Sequence, residues 1–214
     1  MVKYQALLAE IKQLAIDAGR PPEEIELVAV SKEVPLPKLE EAYAEGCRHF
    51  AENRLKEGTE KRQKLPDDIV WHWIGHLQRN KVKQVVGNFA LIHSVDNLQL
   101  AQKISTMGPA RILLEVNISQ EASKHGFEKE NLLKIYSQLQ QLPGLKIEGL
   151  MTMAPVEGDI RGCFAALRNL RDQLKAVTSS PHTMHHLSMG MSNDYPIAIQ
   201  EGATLLRIGS KLFL

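Results

Sequence analysis

A lysine closes the apolar run Leu27-Val28-Ala29-Val30-Ser31-Lys32. Four apolar residues, two of them β-branched, predict a buried strand. Pro35 and Pro37 follow and cannot continue its ladder. A lysine at the C-terminal end of a buried parallel strand stands where reactive groups gather in α/β barrels. Burial there would disfavour the charged ammonium, and a neutral amine is what Schiff-base chemistry with a carbonyl needs. A surface lysine that caps a strand is the plainer alternative.

Two further stretches bear on this lysine. The segment 186–192, HLSMGMS, and the segment 207–210, RIGS, each follow or end a short apolar run. Barrels often hold phosphate with the loops after strands seven and eight. Ser188, Gly190 and Ser192 offer hydroxyls and backbone N–H groups, and Gly209 allows close approach. Ser210 opens a tail, 211–214, that can form one helical turn with its amides toward an anion. Glycine and serine also make ordinary turns. Arg207 shares a strand face with Leu205, opposite Leu206 and Ile208, and pointing into a barrel it would need partners. A lysine that forms imines, a phosphate cradle and an arginine at one rim suit pyridoxal phosphate. The arginine would donate to the pyridine nitrogen and leave it unprotonated, which weakens the ring as an electron sink.

The surrounding pattern supplies the elements that would position these groups. Strands are predicted at 25–31, 49–51, 70–74, 91–94, 111–117, 146–151, 185–187 and 204–208. Helices are predicted at 4–18, 37–45, 54–64, 77–86, 97–107, 129–141, 160–177 and 196–201, the fifth capped at Asp96 or Asn97. Eight strands alternating with helices after one leading helix predict a single (β/α)8 TIM barrel over 1–214. An open doubly wound sheet is the rival. On the barrel reading Lys32, Asn53, His76, Met151–Met153, Ser188–Ser192 and Gly209–Ser210 all reach one rim. A loop with Ser119, Ser123 and Gly126 precedes the helix at 129–141.

Composition narrows the class. The chain has 214 residues, 43% hydrophobic and 24% charged, with Lys+Arg 26 against Asp+Glu 25. That balance gives no nucleic-acid surface. No apolar run approaches the ~18 residues of a membrane span, and the N-terminus lacks the apolar core of a signal peptide. Cys47 and Cys163 sit in apolar helical contexts, as reduced cytoplasmic thiols do. His72 and His76 straddle a strand end and a glycine, and His185 and His186 are adjacent on a strand, so neither pair predicts a metal site. The segment 77–83 is basic and reads as a solvated helix face. The methionines at 151, 153, 189 and 191 read as packing.

The stretches LVAVSK (27–32), AENR (51–54), WHWIGHLQRNK (71–81), VNISQEASKHGF (116–127), GLMTMAP (149–155), HLSMGMSNDYPIAI (186–199) and GATLLRIGS (202–210) run through nearly the whole chain. Together they resemble the pyridoxal phosphate homeostasis proteins, the PROSC-type family similar to the alanine racemase N-terminal domain. The resemblance implies a (β/α)8 barrel that binds pyridoxal 5'-phosphate as a Schiff base on Lys32, with Arg207 at the pyridine nitrogen. It implies phosphate contacts at Ser188, Gly209 and Ser210, with Met189 and Gly190 adjacent, Asn53 beside the ring and His76 near the site. The family is regarded as non-catalytic. It buffers or delivers the cofactor, with pyridoxal-phosphate-dependent apoenzymes as recipients, and is linked to amino-acid and keto-acid balance. Ala51, Leu55-Lys56 and Leu214 depart from the family's usual residues, at positions outside the inferred contacts.

Racemase-like catalysis needs a second base, a tyrosine from a separate β domain. After the barrel no such domain is expected here, so a monomeric carrier is the primary expectation. Of Tyr4, Tyr43, Tyr136 and Tyr195, only Tyr195 is near a rim loop in sequence. A slow amino-acid racemase or another fold-type III pyridoxal phosphate enzyme is the runner-up, and a lysine aldolase in a barrel is third.

Overall fold

The structure is a computed structural model that describes residues 2–121 and 124–214. Ser123, singled out in the loop before 129, lies outside the described residues. Strands β1 (Glu26–Val30), β2 (His49–Glu52), β3 (Val70–Trp73), β4 (Leu91–Val95), β5 (Ala110–Glu115), β6 (Leu145–Met151), β7 (His186–Ser188) and β8 (Leu205–Ile208) pair in order. β1 also pairs with β8, and the ring closes into a parallel barrel. The helices are α1 (Tyr4–Asp17), α2 (Leu36–Ala44), α3 (Leu55–Arg62), α4 (Val82–Val85), α5 (Leu98–Ser105), α6 (Lys129–Gln140), α7 (Ile160–Ala176), α8 (Tyr195–Gln200) and α9 (Ser210–Phe213). Among the described residues no helix is long and apolar enough to cross a membrane.

Local chemistry sets several boundaries. Asn97 caps α5, its side chain accepting from the Leu100 amide at 2.8 Å. Asp159 does the same for α7 through the Gly162 amide, also at 2.8 Å. Strand alternation sorts the core into two layers. Leu27, Ala29, Leu206 and Ile208 point outward into the layer between sheet and helices. Val28, Val30, Ala51, Leu91, Leu113, Met151 and Leu205 point inward and fill the barrel. The leading helix α1 buries Tyr4, Leu7, Ile11 and Ala15. Arg20, just beyond it, donates to the carbonyls of Ile199 and Ala203 at 2.7 and 2.8 Å. Cys47 and Cys163 are both buried and unpaired.

The expected helix at 77–86 is replaced. Gln78 is extended, a 3-10 turn spans Arg79–Lys81, and only one α-helical turn, α4, follows. Leu77 and Val82 are both buried, at 2% and 0% exposure. The chain crosses the rim extended to bring both into the core, which one continuous helix of solvated face would not do. A 3-10 turn at Pro22–Glu24 was not expected from the sequence. β1 ends at Val30, so Ser31 and Lys32 lie in the loop beyond it. The other boundaries agree to within two residues.

Gly149 marks the tightest strand contact. A methyl group there would sit 2.0 Å from the carbonyl oxygen of His186 on β7. β7 is only three residues long, so it has few other bonds with which to absorb a shift. Gly149→Ala is expected to destabilise the fold by more than about 3 kcal/mol, measured by denaturant unfolding; a loss under about 1 kcal/mol would show that the β6–β7 contact yields easily.

Candidate functional site

The C-terminal ends of the strands surround a cleft of about 530 Å³. Lys32, Asn53, Met151, Arg207, Gly209 and Ser210 all line it, together with Met153, Met191, Ser192 and Asp194. Six loops converge there because every parallel strand ends at the same face.

Lys32 is exposed at the mouth. The residue is exposed rather than buried, unlike the sequence expectation, because it stands in a loop rather than on a strand. The loop is held from beneath. Lys61 of α3, only 8% exposed at its side chain, donates to the Ser31 carbonyl at 2.5 Å and to Glu52 at 2.7 Å. The Ser31 hydroxyl donates to the same Glu52 carboxylate at 2.7 Å. Glu57 joins them, accepting from Lys61 at 2.6 Å and from the Glu33 amide at 2.7 Å. Glu33 adopts φ 59°, a left-handed turn that redirects the chain just after Lys32.

Arg207 forms the floor and is 5% exposed. Nη1 donates to the Ser188 hydroxyl at 2.7 Å, and Nη2 donates to the Thr152 carbonyl at 3.0 Å. Burial pushes its guanidinium down to about 10, opposed by the charges of Glu115 and Asp194. Its five N–H donors exceed these two bonds, so donors remain for a group in the cleft. Glu115, at the end of β5, is 4% exposed. Burial pushes its carboxyl up to about 7; Asp96 adds to the rise and Arg207 opposes it.

Asn53 supplies a buried side-chain oxygen, Oδ1, with no hydrogen-bond partner among the described residues. An orphaned buried acceptor is costly unless a ligand serves it. Amine, guanidinium, amide and small hydroxyl-bearing loops form a donor set suited to an anionic aromatic aldehyde.

Four expected site residues stand elsewhere. Ser188 is fully buried, and its hydroxyl is taken by Arg207 and by His93 Nδ1 at 2.8 Å. Alternation places it inside the barrel, so its side chain does not line the cleft. Met189 is likewise buried, in the layer outside the sheet. Gly190 (φ 92°) turns the chain where a Cβ would meet Ala198 at 2.6 Å, and its carbonyl accepts from the Arg207 amide at 2.9 Å. The small residues that do line the cleft are Ser192, Gly209 and Ser210, and the Lys211 amide donates to Ser192 Oγ at 3.2 Å to join the two loops. His76 lies in a neighbouring groove, where it stacks on His125 with ring centroids 4.1 Å apart. Their Nδ1 atoms lie 3.3 and 3.8 Å from one oxygen of Asp96. The rings are 19° from parallel, so their in-plane lone pairs run side by side rather than converging on an ion.

Glu52, Lys61, Glu115 and His93 were not singled out from the sequence. The rule that placed Arg207 inside, alternation along a strand, applies equally to His93 and Glu115, which stand at inward positions of β4 and β5.

Barrel and rim together define a (β/α)8 barrel protein with a lysine-bearing cleft at the C-terminal ends of its strands. Residues 2–214 match the family described as "Alanine racemase, N-terminal domain". The chain is 40% identical over 220 residues to the pyridoxal phosphate homeostasis protein of Aquifex aeolicus, covering 99% of this chain and 96% of that one. It is 41% identical over 211 residues to the protein of that name from Pseudomonas aeruginosa, covering 96% and 90%. The structure of PipY of Synechococcus elongatus with pyridoxal phosphate bound superposes with a TM-score of 0.83 at 35% identity, covering 97% of this chain and all (100%) of PipY. Alanine racemase from Corynebacterium glutamicum shares the fold at 14% identity and a TM-score of 0.70; the match covers 96% of this chain and 59% of the racemase. The chain belongs to the pyridoxal phosphate homeostasis protein family.

Two variants test the supports of the cleft. Lys61→Met leaves Glu52 buried without its cation and should cost roughly 3–5 kcal/mol in denaturant unfolding; a loss below about 1 kcal/mol would mean the pair does not brace the lysine loop. Glu115 has a folded value above the ordinary 4.5, so its acid form favours the fold and that contribution fades as pH rises through about 7. Glu115→Gln should be near neutral at about pH 4 and stabilise by up to roughly 3 kcal/mol at about pH 9. A pH-independent effect would show that the carboxyl titrates normally.

Proposed function

We propose that this chain binds pyridoxal 5'-phosphate in the rim cleft, holds it as a Schiff base on Lys32, and serves cytoplasmic vitamin B6 homeostasis as a carrier rather than as an enzyme. Residues 1–214 act as one binding domain in this reading. The observation that carries it is the convergence of Lys32, Asn53 and Arg207 on one cleft with Gly209 and Ser210.

When bound, the cofactor supplies an electrophilic aldehyde and an electron-withdrawing ring. The Lys32 amine, at the open mouth, is placed to hold the aldehyde. Arg207 directs its remaining donors at the ring nitrogen, and with a guanidinium that keeps its protons, that nitrogen stays an acceptor. Asn53 offers its unpartnered side chain to the ring substituents. Ser192, Gly209 and Ser210 receive the phosphate in place of the Ser188–Gly190 segment. Among the described residues no tyrosine lines the cleft. The hydroxyls of Tyr43, Tyr136 and Tyr195 are bonded to Asp68, Thr178 and Glu10. The chain therefore offers no tyrosine as a second base opposite Lys32, which supports storage and delivery to apoenzymes over turnover. Two buried thiols suit a reducing compartment.

Incubation with pyridoxal phosphate, borohydride reduction and peptide mass mapping test the reading. A pyridoxyl group on the peptide containing Lys32, absent from Lys32→Ala, is expected; failure to trap, or trapping elsewhere, would overturn it. Exchange of an amino acid's α-proton with solvent, abolished in Lys32→Ala, would replace carrier with enzyme.

A further inference from the structure

Three histidines cross the barrel interior in single file. His49 Nδ1 lies 3.0 Å from His72 Nε2, His72 Nδ1 lies 2.9 Å from His93 Nε2, and His93 Nδ1 lies 2.8 Å from Ser188 Oγ. Arg207 Nη1 donates to that same oxygen at 2.7 Å. At the opposite end His49 Nε2 faces Glu26 at 3.7 Å. His72, His93 and Ser188 are buried, while the His49 side chain is 28% exposed at the N-terminal rim. The file therefore runs from one end of the barrel to the floor of the cleft at the other.

Donor and acceptor rules allow one direction that satisfies its buried links and turns a donor toward Glu26. A neutral imidazole has one donor and one acceptor, a carboxylate only accepts, and a guanidinium only donates. If Arg207 donates to Ser188, the hydroxyl proton is free for His93 Nδ1. His93 Nε2–H then donates to His72 Nδ1 and His72 Nε2–H to His49 Nδ1, while His49 Nε2–H faces the Glu26 carboxylate at 3.7 Å, outside hydrogen-bond distance. The reverse direction points the His49 Nε2 lone pair at a carboxylate and leaves the serine proton without a partner. Burial holds His72 down to about 3 and His93 well below its usual value, so both stay neutral. Arg111 and His186 add positive surroundings to the file, and Glu115 and Asp194 face Arg207 from the other side.

We propose that His93, His72 and His49 are positioning residues for Arg207, forming a one-way hydrogen-bond relay that fixes the Ser188 hydroxyl and thereby holds the guanidinium where the cleft needs it. Polar side chains occupy barrel positions that branched aliphatics usually fill, and a buried network of this kind is stable only when every member is satisfied. The relay is a property of the unliganded chain. Only its effect on the cofactor rests on the function proposed above.

Nitrogen-15 NMR of the unliganded, histidine-labelled protein reads the relay directly. All three rings should be neutral with the proton on Nε2; a proton on Nδ1 of His72 or His93 would overturn the proposal, since packing alone imposes no common tautomer. In His49→Phe the His93 nitrogen shifts should move although the two rings do not touch; unchanged shifts would show that the rings are independent. With pyridoxal phosphate bound, His93→Phe should weaken affinity roughly tenfold and move the pH dependence of the cofactor's absorbance. His93→Gln, able both to accept and to donate, should recover most of the loss. If His93→Phe binds and titrates like the parent, the relay does not position Arg207. If the parent chain itself binds no pyridoxal phosphate, the proposed function fails while the NMR result still decides the relay.

Discussion

Burial of one positive charge organises this barrel. Arg207 is 5% exposed on the inner face of β8, and an uncompensated ion at such a place is prohibitively costly. The barrel answers with oxygen acceptors, the Ser188 hydroxyl and the Thr152 carbonyl, and with the nearby charges of Glu115 and Asp194. Ser188 in turn must be satisfied, which draws in His93 and, behind it, His72 and His49. A cationic floor in the cleft thus dictates a polar column through an interior otherwise filled by Val28, Val30, Leu91, Leu113 and Leu205.

Lys32 is served by a different arrangement. Its own side chain is exposed and free to reach a ligand, and the rigidity lies one residue earlier and one layer below. The Ser31 hydroxyl and carbonyl are both held by the Glu52–Lys61 pair. Glu57 extends that grip to the Glu33 amide. An exposed amine on a clamped backbone is consistent with the binding role proposed above. The two loops after β7 and β8 are cross-linked by the Lys211 amide and Ser192, so the opposite wall of the cleft is braced independently.

The barrel was legible in the chain because each strand is a short apolar run flanked by breakers, and eight such runs alternate with helical faces. Position along a strand also foretold that Lys32, Asn53, Arg207, Gly209 and Ser210 would meet at one rim. Of the small residues expected in the loop after β7, Ser192 lines the cleft and Ser188 does not, for the same reason that Arg207 was placed well. Alternation sends Ser188 inward and occupies it there, leaving Ser192 to line the cleft. His76 follows its strand as expected, yet its ring turns to His125 and Asp96, partners from the loops after β5 and β4 that no local pattern reveals.

By itself, then, the sequence determined the period of the strands, the side each residue faces and the family to which the chain belongs, because these follow from local pattern and shared motifs. Which inward residues touch was decided only by closure of the barrel. His49, His72, His93, Ser188 and Arg207 come from strands two, three, four, seven and eight. A hydrogen bond between residues 95 positions apart depends on the tilt and register of the closed sheet, which side-chain periodicity does not encode.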